Sequence, residues 1–247
     1  MTYMTYCVGL LLEQGLVFAS DTRTNAGVDQ VAISPKMHIF EVKDERVIVL
    51  LTAGNLAITQ SVVNCLRASI SRNTEGSRHL HNVETMFEVA GLVGNEVRAS
   101  YERDGMHFKH HNIDFSASIL VGGQIKGEKP RLFNVYAAGN FIETSKETPY
   151  LQIGETKYGK PIIDRVVRYN SEMMDAVKCI LISFDSTIRS NVSVAAPIDL
   201  LLYRTDTFHA DCLQRITEND PYYAKVRQGW GDGLRAVFSA LPSPDWC

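Results

Sequence analysis

Runs that read as strands arrive in blocks along this chain, and pairs of helical patterns separate the blocks. Thr5-Tyr6-Cys7-Val8-Gly9-Leu10-Leu11-Leu12 leads through a turn at Gln14-Gly15 into Leu16-Val17-Phe18-Ala19-Ser20-Asp21. A second pair, Lys36 to Glu41 and Arg46 to Ala53, flanks the charged turn Lys43-Asp44-Glu45. Two helices then fit: one opened by Asn55 as N-cap, with Leu56, Ile58, Val62, Val63, Leu66 and Ile70 at helical spacing, and one over Val83 to Arg103. Strands return at Ser116–Val121 and Arg131–Ala137. Helices follow at Tyr158–Tyr169 and Glu172–Phe184, then a strand at Pro197–Tyr203 and a helix near Tyr222–Leu241. Such blocks disfavour a simple βαβ alternation. They suit two stacked sheets with helices on the outer faces, an α+β arrangement. No repeat or Pro/Ser-rich linker divides the chain, so residues 1–247 read as one domain.

The bulk numbers exclude several classes. Hydrophobic residues make up 45% and charged residues 21%, enough apolar material for a sizeable core. The formal net charge is −3 with no basic run, so nucleic acid is not an expected partner. No apolar stretch reaches membrane-span length and no signal peptide is legible, so the expected location is cytoplasmic. Cys7, Cys65, Cys179, Cys212 and Cys247 are odd in number and unpaired in spacing, which reads as reduced thiols. No phosphate-cradling glycine loop is present, and neither cofactor nor metal is expected.

The first hairpin carries the chemistry. Folding it would bring its start, Thr5, to its end, Asp21, sixteen residues on. A threonine is a poor nucleophile unless it begins a chain, where its own amine can serve as base. Initiation at Met4, or removal of the residues before Thr5, would create that terminus; with Met1 attached the chain is expected to be inactive. Lys36, at the start of the next strand, would keep the hydroxyl's surroundings electropositive and lower the amine's pKa. Gly54, between strand and helix, could present a backbone N–H to a developing oxyanion. Each has an ordinary reading: turn aspartate, solvated lysine, junction glycine. Their joint spacing is what points to amide hydrolysis. Thr2 is a rival start, but it lies nineteen positions from Asp21. Three extra extended residues would displace it by about 10 Å and reverse its face.

These residues resemble the start of proteasome β-type subunits: a threonine, Val8-Gly9 just after it, Ala19-Ser20-Asp21-Thr22-Arg23, then a lysine. Thr52-Ala53-Gly54 is similar to the strand-to-helix glycine of that family. Ala19 to Gly27 and Asp185-Ser186-Thr187-Ile188-Arg189-Ser190-Asn191-Val192-Ser193 resemble the bacterial Anbu, or ancestral β-subunit, branch. The resemblance implies a four-layer αββα Ntn-hydrolase sandwich that self-assembles into a homo-oligomeric ring or open spiral. It implies a threonine peptidase acting on peptides or unfolded chains, with unidentified partner proteins possible. Carried over by position, Thr5 is the nucleophile, Asp21 and Lys36 complete the site, Gly54 lines the oxyanion hole, and Asn191 and Ser193 buttress the amine. Thr24, Ser34, Thr52 and Leu56 would line substrate pockets. Lys36 comes one residue early, which a shorter loop at Gly27-Val28-Asp29 absorbs. Where the family places a serine after a mid-chain glycine, Gly154 is followed here by Glu155. Two alternatives stay open: a non-catalytic assembly subunit that keeps the fold, and an Ntn amidase acting on a small amide.

Other signals have simpler readings. His107, His110 and His111 are expected in a polar loop, since no cysteine or carboxylate set completes a metal site. Arg78-His79-Leu80-His81 is expected in a loop as well. Cys7 is expected to pack, and Trp230 and Trp246 to serve packing or subunit contact. Asp185-Ser186 lacks the glycine-flanked elbow of a serine triad.

Overall fold

The computed structural model describes residues 5–25, 31–210 and 212–246, with the backbone alone at positions 24, 25, 31 and 32. Two five-stranded antiparallel sheets lie face to face. The first has the order β10 (Tyr150–Gly154), β1 (Tyr6–Leu12), β2 (Gly15–Asp21), β11 (Ile198–Arg204), β12 (Cys212–Ile216). The second runs β5 (Met37–Val42), β6 (Arg46–Gly54), β7 (Ala117–Ile125), β8 (Arg131–Val135), β9 (Phe141–Glu143). A short ribbon, β3 (Arg23–Asn25) and β4 (Val31–Ile33), bridges them in sequence. Helices α1 (Leu56–Arg72) and α2 (Met86–His110) cover the second sheet. Helices α3 (Lys160–Val166), α4 (Met173–Ser190) and the first turns of α5 (Pro221–Ala240) cover the first. The chain is a four-layer αββα sandwich.

Strand alternation builds the three apolar layers. In β2, Leu16 and Phe18 face the other sheet while Val17 and Ala19 face α4. In β6, Val47, Val49 and Leu51 point inward while Ile48 and Leu50 point at α1 and α2. Strands covered on both faces need both residue sets apolar, which explains their unbroken hydrophobic runs. Phe18 is fully buried over Gly122 and Gly9. Burial of such a side chain contributes roughly 1.5–3 kcal/mol.

Several boundaries differ from the sequence expectations. The first hairpin turns at Glu13-Gln14, because Leu12 pairs with Gly15. Gly15 is needed for another reason: β11 crosses there, and a Cβ would overlap the Tyr203 carbonyl oxygen. Helix α2 begins at Met86, behind a capping box of Thr85 and Glu88, and continues to His110. His107 and His110 therefore lie in its last turns, not in a loop, because the exposed face of a helix accepts histidine readily. Helix α4 continues through Asp185 and Ser186. The Asp185 carboxylate accepts from Arg189 and from Arg227 of α5, a helix-to-helix clamp that takes Asp185 out of any serine triad. Strands β9, β10 and β12 carry too little apolar pattern to have been recognised. Asn55 caps α1 as expected, its side-chain oxygen accepting from the N–H groups of Ala57 and Ile58. Cys7 lies in the apolar layer between the sheets. Cys7, Cys65, Cys179 and Cys212 are free thiols.

Candidate active site

The site forms where β1 begins, β2 ends and β5 is about to start. The β1–β2 register pairs Cys7 with Ser20, so Thr5 and Asp21 close the open end of the hairpin. One carboxylate oxygen of Asp21, Oδ1, collects three donors. The Thr5 hydroxyl donates to it, the Tyr6 N–H donates at 3.0 Å, and the Lys36 ammonium donates at 2.7 Å. Lys36 Nζ also donates to the Arg23 carbonyl at 2.6 Å. Asp21 is 0% exposed, Thr5 4% and Lys36 6%, so the ion pair is screened very little by solvent. Burial pushes the Asp21 carboxyl above its ordinary range. The Lys36 charge and hydrogen bond, then the Thr5 hydroxyl and the Tyr6 N–H, pull it back down. Beneath them burial pushes the Cys7 thiol up, so it stays neutral.

The second sheet supports the cluster from below. Thr52 donates its N–H to the Lys36 carbonyl at 3.0 Å and its hydroxyl to the same oxygen at 3.4 Å. The Cys7 thiol points at the Thr52 carbonyl at 3.7 Å. Two residues on, Gly54 ends β6 at φ +109, where a Cβ would overlap the Ser116 carbonyl oxygen. The backbone of Ser116 and Ala117 fills the space a side chain would take, so only glycine fits at this junction. Of the other expected pocket residues, Ser34 is half-buried and donates its N–H to Thr22 at 2.9 Å. Leu56 is half-buried at the first position of α1. The Thr24 side chain lies outside the described residues, as do Thr2 and the loop at Gly27-Val28-Asp29.

A third group reaches Thr5 from β10. Gly154 sits opposite Tyr6 at φ +82, and the Glu155 N–H donates to the Thr5 carbonyl at 2.6 Å. Asn191, which caps the end of α4, donates from Nδ2 to Glu155 Oε2 at 2.9 Å. Its Oδ1 accepts from the Ser193 hydroxyl at 2.6 Å and from the Ser193 N–H at 2.9 Å. Asn191 and Ser193 thus join the site through Glu155, a residue noticed in the sequence only as a departure. Its place was unreadable because β10 pairs with β1 across more than a hundred residues of chain.

Comparison with known proteins places this geometry in a wider set. A model of the family described as "Proteasome subunit" matches residues 3–200. Anbu (ancestral beta-subunit) from Yersinia bercovieri is 48% identical, the match covering 98% of this chain and 100% of that one at a TM-score of 0.91. Anbu from Pseudomonas aeruginosa, solved as a helical assembly, is 45% identical over 98% of each chain at a TM-score of 0.92. The proteasome subunit beta of Methanobrevibacter smithii is 27% identical over 139 residues. The chain spans 58% of the length of that curated relative.

Proposed function

This chain belongs to the proteasome subunit family, alongside the Anbu proteins, and from that premise we propose that it is a self-assembling threonine peptidase with Thr5 as nucleophile. The observation that carries the reading is the convergence of the Thr5 hydroxyl and the Lys36 ammonium on one buried oxygen of Asp21. With Thr5 as first residue, its amine takes the hydroxyl proton and Oγ attacks the scissile carbonyl. The nearby ammonium of Lys36 favours the developing alkoxide, and Asp21 fixes that ammonium. A backbone N–H at Gly54 stabilises the oxyanion, where one such donor contributes about 3–4 kcal/mol. The leaving amine takes the proton, and water then releases the acyl group from Thr5. Thr52, Ser34 and Leu56 would line the substrate cleft, and peptides or unfolded chains are the substrate class.

Protein prepared to begin at Thr5 should form a one-to-one adduct with a peptide epoxyketone, read by intact mass and mapped to Thr5. Thr5→Ala should form none. Absence of an adduct in assembled, correctly trimmed protein would favour the second reading, a subunit that assembles without hydrolysing. Glu155, in the position where the family places serine, is the feature that supports that second reading. An adduct without turnover of any peptide in a mixed library would point instead to an amidase for small amides.

Self-assembly draws support from α5. Tyr223 and Val226 of its first turns pack on the core, but Leu234, Val237 and Phe238 are 51%, 62% and 78% exposed. An apolar stripe continued beyond its own domain suits contact with another copy. Leu234→Ser together with Phe238→Ser should shrink the particles seen in sedimentation velocity while leaving circular dichroism unchanged. Particles of unaltered size would exclude this stripe from the contact.

A further inference from the structure

We propose that Glu155 is a positioning residue whose carboxylate holds the α-amine of Thr5 once Thr5 begins the chain. The inference rests on the reading of Thr5 as the working terminus. Three observations carry it. Continuing the β1–β10 register one step beyond Tyr6 and Gly154 sets Glu155 opposite Thr5, and its N–H on the Thr5 carbonyl fixes that pairing. Side chains of directly paired residues start only about 4.5–5.5 Å apart at Cβ. The Glu155 side chain is also turned inward: the residue is 8% exposed, with Oε2 held by the Asn191 amide at 2.9 Å. Asn191 is locked in turn by Ser193.

The third observation is the balance of charge. Lys36 pairs with Asp21 through Oδ1 at 2.7 Å, while Asp21 Oδ2 is buried with no hydrogen-bond partner among the described residues. Cys7 and Tyr6, the titratable side chains of β1 nearest the site, are both kept neutral by burial. Arg23 contributes its backbone carbonyl to Lys36. From the loop after β10, Lys157 approaches Glu155 Oε1 at 3.5 Å, but it is 68% exposed, and solvent screens most of that attraction. Glu155 is therefore a largely buried carboxylate bound chiefly to a neutral amide. A buried carboxylate is retained where a cation pairs with it. The amine created at Thr5 supplies one, next to the backbone that Glu155 already grips.

The pairing has a chemical consequence. A carboxylate beside an ammonium favours the charged form and raises the amine's pKa, opposing the effect of Lys36. The amine would be a poor base at neutral pH and a better one as pH rises.

The test uses full-length protein beginning at Thr5. The pKa of its α-amine is read from the pH dependence of acylation by acetic anhydride, quantified by peptide mass spectrometry. Glu155→Gln should lower that pKa by about one unit, giving about tenfold more neutral amine near neutral pH. Glu155→Asp, which keeps the charge, should retain most of the shift. Glu155→Ser supplies a second neutral variant should the glutamine protein fail to assemble. An amine that titrates identically in the native and neutral variants would overturn the proposal. Because acylation is read without turnover, this outcome is separable from that of the epoxyketone experiment. An inert protein whose amine responds to Glu155 would keep the pairing and sink the peptidase reading; a reactive protein whose amine ignores Glu155 would do the reverse.

Discussion

Lys36→Met should cost hydrolysis by Thr5 about 10²–10⁴-fold, the usual contribution of a positioned proton-transfer and charge-stabilising group. It should also cost stability. Removing one partner of a buried pair leaves the other uncompensated, typically at about 3–5 kcal/mol. Asp21 is 0% exposed and loses its charged partner at 2.7 Å. Its carboxyl, already raised by burial, should rise further. The folded variant binds the Asp21 proton more tightly than the unfolded chain does. That contribution is fully present below the unfolded carboxylate pKa and is lost as pH rises through the folded one. The deficit relative to the native protein, measured by thermal unfolding, should thus be smallest in acid and widen toward neutrality. Asp21→Asn combined with Lys36→Met should recover much of the stability, since a neutral replacement of a buried pair is often harmless, yet recover no reactivity. A deficit independent of pH would show that the cost comes from lost packing of the lysine stem.

Gly154→Ala should disable the site by a different route. Gly154 holds φ +82, and its Cβ would overlap the Thr5 carbonyl oxygen. The obstacle is backbone of the neighbouring strand, which cannot swing aside as a side-chain tip can. A left-handed alanine costs about 1–2 kcal/mol, and breaking the Glu155 N–H bond to Thr5 about 0.5–1.5 more. The total expected loss is about 1.5–3.5 kcal/mol. The start of β1 would shift off β10, and the adduct rate on Thr5 should fall at least about a hundredfold, as misplacement of reacting groups by about 1 Å does. Gly127→Ala is the matched control: φ is +95 there, with nothing within 4 Å of the added Cβ. It should show the backbone penalty in urea unfolding and leave Thr5 reactivity unchanged. Equal reactivity in the two variants would remove Gly154 from the site.

The hairpin that joins Thr5 to Asp21, the cap at Asn55 and the runs of β5 and β6 were legible because each depends on near neighbours in the chain. The hairpin itself was readable, but the expected turn at Gln14-Gly15 lies one residue beyond the observed Glu13-Gln14, so the register that delivers Asp21 to Thr5 was decided by the structure. Lys36 was legible as the opening of a further strand run. Helix ends were less legible. Thr85 and Glu88 fix the start of α2, while its exposed histidines gave no signal that it continued to His110. Strands β9, β10 and β12 are short and partly exposed, so alternation could not mark them.

By itself, then, the amino-acid order determined the doubly covered strands, the helices that cover them, and the threonine, aspartate and lysine that meet at one hairpin. Tertiary structure alone decided that β10 lies beside β1 and that Glu155, Asn191 and Ser193 close around the Thr5 backbone. The physical reason is separation along the chain. Hairpin partners are held by a turn whose chemistry is written in two or three residues. Contacts between distant segments form only when burial of the whole apolar interior repays the entropy of bringing them together, and no local pattern records that.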